Sequence, residues 1–148
     1  MNRSAIRREL VEEHAKLRGL IEDVREAARL ARGSEAMRRE LHTQMERLNI
    51  ALRAHNRHEE ELLKGILVTI DAWGAVRAEI LSEEHVAEHV ELCAMITDAK
   101  ATSHSAILDG TVGSLLDDVL KHMSREEIAF LGEDVLRDDD VIVLQVDG

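Results

Sequence analysis

Apolar residues recur along this chain at intervals of three and four. Leu41, Met45, Leu48, Leu52, His55 and Glu59 lie on one such stripe, and Leu108, Val112, Leu115, Val119, His122 and Glu126 repeat its steps 67 residues later. This spacing follows a single face of an α-helix. Two further stripes are Leu10, His14, Leu17, Ile21, Val24, Ala28 and His85, His89, Leu92, Ile96, Ala99. The first four residues of the former map onto His85, His89, Leu92 and Ile96 with a shift of 75. The pattern predicts a first helix N-capped by Ser4 and running to about Arg32, with Gly33-Ser34 as punctuation. A second helix spans about Glu35 to Lys64 and stops at Gly65; a looser connection holds Asp71, Trp73 and Gly74. A third covers about Val76 to Lys100. After a turn at 101–105 the fourth runs from about Ala106 to Leu131 and stops at Gly132, with Gly110 and Gly113 weakening its start. The expected fold is all-α: an up-down-up-down antiparallel four-helix bundle, a duplicated helical hairpin, over residues 1–135. A tail at 136–148 combines Asp138, Asp139 and Asp140 with the hydrophobic run Val141 to Val146, expected to be extended and packed on the bundle, with an edge that pairs with another chain as the alternative.

Composition agrees with this. The chain of 148 residues has no Pro and only two aromatic residues, Trp73 and Phe130, so long helices meet no interior breaker. The net charge of −11 argues against nucleic acid, which needs a basic footprint. The charge is uneven: residues 1–57 hold 13 Lys+Arg against 9 Asp+Glu, while the rest hold 6 against 21. We read this as a solvated surface, with contact between unlike faces of two copies as the alternative; monomer and homodimer both fit. The one cysteine, Cys93, has no partner for an internal disulfide. Without a signal-like or membrane-length apolar run, a cytoplasmic protein that does not engage membranes is expected.

The polar residues on the stripes carry the chemistry. Counted from turns near residues 33, 70 and 104, His14, His55, His85, His89 and His122 fall at one height of the bundle within about a helical turn. Glu59 and Glu126 follow their histidines at i+4, so each pair presents both side chains to the same point. Buried imidazole and carboxylate without partners are costly; a shared metal relieves them. A lone core histidine is more often simply hydrogen-bonded, but this concentration in one layer favours ligation. Two carboxylates, each with two oxygens, suggest two cations; imidazole and carboxylate without thiolate fit iron, with zinc or manganese as substitutes. With one shared solvent oxygen, these donors fill all but about one position on two octahedral ions. An open position suits a small diatomic ligand. His58 is expected beyond the ligands or at the surface, as are Glu60 and Glu127; His42 and His104 are expected to be solvated, and Cys93 to be a small core residue.

Glu13-His14 with Leu17, the segment His55 to Leu63, Glu88-His89, and His122 to Glu127 resemble the hemerythrin family in its broader HHE-domain form. The resemblance spans about residues 5–131 and implies a non-haem di-iron site with a bridging oxo or hydroxo group. By it His14, His55, His85, His89 and His122 are terminal ligands, and Glu59 and Glu126 bridge. The His85/His89 pair is similar to that of oxygen-carrying hemerythrins. There are departures: Glu126 stands four after His122 rather than an Asp at five, the usual Pro after the second helix's motif is missing, and bulky aromatics are nearly absent. The implied function is binding O₂, NO or peroxide for storage, sensing or scavenging. The alternatives are an oxidoreductase consuming peroxide or NO, an iron-handling ferroxidase, and, more distantly, a metal-free interaction bundle. Val11, Leu52, Val86 and Val119, three before His14, His55, His89 and His122, break the Glu-x-x-His pattern of ferritin-like sites.

Overall fold

The computed structural model describes residues 2–31, 34–66, 83, 85–101, 105–129 and 131. They form four helices: α1 Arg3–Leu30, α2 Glu35–Ile66, α3 Val86–Ala101 and α4 Ser105–Ala129. Among the described residues there is no strand, and the fold is an all-α helical bundle. The expected connection with Asp71, Trp73 and Gly74, the start of the third helix at 76, Gly33, His104, Gly132 and the tail at 136–148 lie outside the described residues.

Helix starts follow from short polar side chains. Asn2, not Ser4, caps α1: its backbone is extended (φ −82, ψ 166) and its side chain accepts from the Ala5 N–H at 2.8 Å. Asn is as good an N-cap as Ser, so helix begins two residues earlier than expected and Ser4 falls within its first turn. Ser34 does cap α2, its hydroxyl accepting from the Met37 N–H at 3.1 Å. Gly65 does not stop α2, which continues to Ile66. His85, just ahead of α3, sits in π-helical backbone, a widened turn often found at functional sites.

α1 and α3 each pack against both α2 and α4. Along α1 and α4 the contacts run in opposite directions: Arg7 Nε donates to the Leu131 carbonyl at 2.8 Å, Arg18 pairs with Glu127, and Arg25 with Asp117. The predicted stripes face inward. Leu17, Ile21, Val24, Leu41, Met45, Leu48, Leu52, Leu92, Ile96, Val112, Leu115 and Val119 join one buried cluster, although α1 buries Ala27 and leaves Ala28 only partly covered. Each large apolar side chain removed from water contributes about 1.5–3 kcal/mol. Beyond the polar layer, Ile6, Leu10, Leu63 and Leu131 are also buried. The polar residues are therefore enclosed between two apolar layers.

Candidate metal centre

All seven residues expected to ligate are buried: His14, His55, Glu59, His85, His89, His122 and Glu126 are between 0% and 5% exposed. The helical periodicity delivers them one turn beyond the hydrocarbon stripe, so the same packing that buries Leu52 and Val119 buries His55 and His122. They fall into two overlapping sets whose ligand atoms lie within 4.8 Å of one another: Glu59, His85, His89, His122, Glu126, and His14, His55, Glu59, Glu126. Both carboxylates belong to both sets. Ring contacts divide the imidazoles in the same way. His14 meets His55 with centroids 4.7 Å apart, while His85 lies 4.1 Å from His89 and 5.1 Å from His122.

The Nε2 atoms point at the carboxylates. Glu59 Oε2 is 3.1 Å from His55 and 3.5 Å from His14, and its Oε1 is 3.2 Å from His85 and 3.6 Å from His89. Glu126 Oε1 is 3.1 Å from His122 and 3.3 Å from His14; its Oε2 contacts His85 closely and lies 3.5 Å from His89. Glu59 thus turns one oxygen toward each set, while Glu126 reaches both through Oε1, shared by His122 and His14, and keeps Oε2 on His85 and His89.

Outside this layer, four more glutamates hold the rings by Nδ1. His14 donates to Glu127 at 3.0 Å, His55 to Glu13 at 2.8 Å, His89 to Glu60 at 2.7 Å and His122 to Glu88 at 2.8 Å. A carboxylate acceptor places the proton on Nδ1 and leaves the Nε2 lone pair facing inward, as second-sphere carboxylates do for metal-bound histidines. Arg18 grips Glu127 with two bonds, 2.8 and 3.0 Å. The roles expected for Glu60 and Glu127 beyond the ligands are therefore met, and His58 likewise sits outside, on Glu13 at 2.6 Å. Glu13 and Glu88 had no role assigned from sequence. Their signal was an acid directly preceding a core histidine in both repeats, one residue round the helix and so aimed at the neighbouring helix of the bundle. Cys93 is a buried core residue as expected; His42 is half-buried rather than solvated.

Lone pairs now face lone pairs. Both oxygens of Glu59, Oε1 of Glu126, and Nε2 of His89 and His122 are buried without a hydrogen bond, a costly state unless a cation stands between them. In the protein without metal, protons serve. Burial lowers His14, but Glu126 and Glu59 outweigh it and raise it from 6.5 to about 10. Burial likewise lowers His55 and His122, yet Glu59 and Glu126 respectively, with Glu13 and Glu88, raise both. Burial pushes Glu126 up, but the groups crowded around it, Glu59, His122, His14 and His85, hold it well below the usual carboxylate range. With those protons removed, five imidazole nitrogens and two carboxylates would suit a hard or borderline dication, and the donor set fits a metal site.

Among the described residues, no helix is long and apolar enough to cross a membrane. Neither curated proteins nor solved structures offer a match to this chain. Residues 5–132 match the family model of the hemerythrin HHE cation-binding domain, and with that match covering nearly the whole sequence the chain belongs to the hemerythrin HHE family.

Proposed function

We propose that this chain is a cytoplasmic di-iron protein that binds O₂, NO or peroxide. In this assignment His85, His89 and His122 hold one ion, His14 and His55 hold the other, and Glu59 and Glu126 bridge them. The observation that carries it is the pair of overlapping donor sets sharing two buried carboxylates, of which both oxygens of Glu59 and Oε1 of Glu126 lack a hydrogen bond. A bound iron pair supplies reversible redox chemistry and a coordination position for a small ligand. His14 and His55 would supply their ion with one imidazole fewer than His85, His89 and His122 would supply theirs, so that position would fall to the ion they hold. The chain's own contribution is to fix the donors: Glu127, Glu13, Glu60 and Glu88 orient four rings, and apolar layers on both sides limit water. An up-down-up-down course of the helices accounts for all seven donors meeting at one height.

A second function, consumption of peroxide or NO, draws support from the pocket's walls. Apart from imidazole, no aromatic side chain is present among the described residues, so none of these walls the centre with a bulky ring. Protein purified under iron-replete conditions and exposed to O₂, NO and H₂O₂ separates the two. A long-lived oxygenated or nitrosyl spectrum supports binding; rapid peroxide or NO turnover supports the enzyme; iron-free, spectrally silent protein contradicts both.

A further inference from the structure

Outside the buried cluster, imidazole and carboxylates converge once more among the described residues. Glu9 and Glu13 of α1 and His58 of α2 each offer a ligand atom, all within 4.8 Å of one another, and all three residues are half-buried. His58 Nε2 is 3.5 Å from Glu9 Oε1, and its Nδ1 is 2.6 Å from Glu13 Oε2. The other oxygen of Glu13 accepts from His55 at 2.8 Å, so this surface set is joined directly to the core. A groove of about 370 Å³ between α1 and α2, walled by Leu17, Ala51 and Ala54, is lined by both His55 and His58.

The second hairpin fills the comparable place with a cation of its own. Arg125 stands 67 residues after His58, and its guanidinium is 2.7 Å from Glu88, the counterpart of Glu13. A guanidinium is permanently charged and has no lone pair for a metal. In the first hairpin that fixed cation is replaced by an imidazole flanked by two acids, a set that can take a cation from solution.

We infer that Glu9, Glu13 and His58 form a surface site for a divalent transition-metal ion, and that it stages metal for the buried pair; the staging role rests on the di-iron proposal above. An ion bound for donors enclosed by apolar layers must shed its water. Three half-exposed donors replace part of the hydration shell while solvent supplies the rest, and the two carboxylates flanking His58 attract dications. Carboxylate and imidazole together suit Mn²⁺ and Fe²⁺.

The test titrates the metal-free full chain with Mn²⁺ and follows it by electron paramagnetic resonance. A spin-coupled pair and a third, weaker, isolated ion are expected. Glu9→Gln and His58→Arg, the latter copying Arg125, should each abolish the isolated ion and slow filling of the pair on the order of tenfold. Final occupancy of the pair and the thermal melt should stay at wild-type values. No third ion in the wild type, an isolated ion that survives both substitutions, or unchanged filling rates overturns the inference. Loss of the coupled pair in wild type, with the isolated ion retained, instead overturns the di-iron proposal and leaves the surface site standing.

Discussion

The α1–α2 hairpin and the α3–α4 hairpin are two versions of one device. His14 answers to His89, His55 to His122, Glu59 to Glu126, and the supporting acids Glu13 and Glu60 to Glu88 and Glu127. Even the wiring repeats: Glu13 and Glu88 each hold a histidine within their own hairpin, whereas Glu60 and Glu127 each reach across to the other. Three of the positions at which the repeats differ bear on the site. Leu10 in the first is His85 in the second, His58 is Arg125, and Arg18 is Cys93. Duplication alone gives two equal half-sites; the change at position 85 makes them unequal, three imidazoles against two. On the di-iron proposal, that inequality would leave the ion held by His14 and His55 a position to offer.

The largest expected effect comes from breaking both halves in turn. His122→Ala should halve or abolish iron loading, measured by elemental analysis. It should also lower the stability of the metal-free protein by about 3–5 kcal/mol, because Glu126 loses a buried partner. His55→Ala should do the same on the other side. Iron content unchanged in both would contradict the shared site.

The next prediction sharpens the inequality. Leu10 is fully buried one helical turn from His14, in the place His85 holds opposite. Leu10→His should keep two irons while lowering azide affinity of the oxidised protein at least about tenfold, since the added imidazole competes for the open position. Unaltered azide binding would show that the position lies elsewhere.

The supporting acids offer a smaller effect. Glu127→Gln should weaken metal binding by about 10–100-fold, read by competition with a chelator. Arg18→Ala, which frees Glu127 but leaves it in place, should cost less.

Most of this was legible in the sequence because it depends on period. Steps of three and four place His55 and Glu59 on the same line as Leu52, and equal distances from the turns bring five histidines to one height. What was not legible depends on side-chain reach between helices. Nothing in local spacing says that Glu13 serves His55 rather than its neighbour His14, or that Arg18 closes over Glu127 from another helix. Cap choice failed for a related reason. Asn2 and Ser4 are both good caps, and the winner is set by where the chain enters the bundle, with Arg7 tied to Leu131.

Protonation distinguishes the metal-free protein further. His14 has a folded value of about 10 against 6.5 unfolded, so its stabilising contribution is complete below pH 6.5 and is lost as pH climbs toward 10. Glu126, held low, contributes above its ordinary 4.5 and loses that contribution as pH falls. The metal-free melting temperature should therefore peak between about pH 5 and 6.5 and fall by pH 9.5. The loaded protein, whose ligands have already given up these protons, should show a flatter alkaline limb. Identical profiles for the two forms would contradict the proton–metal exchange.

Smallest is a control remote from the site. A Cβ at Gly113 of α4 meets nothing within 4 Å, and Gly in a helix costs about 0.5–1 kcal/mol relative to Ala. Gly113→Ala should raise stability by about that amount in chemical denaturation, with iron content unchanged.

The most direct examination of the central claim is Mössbauer spectroscopy of ⁵⁷Fe-reconstituted protein with parallel iron quantification. Two irons per chain, magnetically coupled and inequivalent as three-histidine and two-histidine environments demand, is the predicted result. A single uncoupled iron per chain, or none, would contradict it.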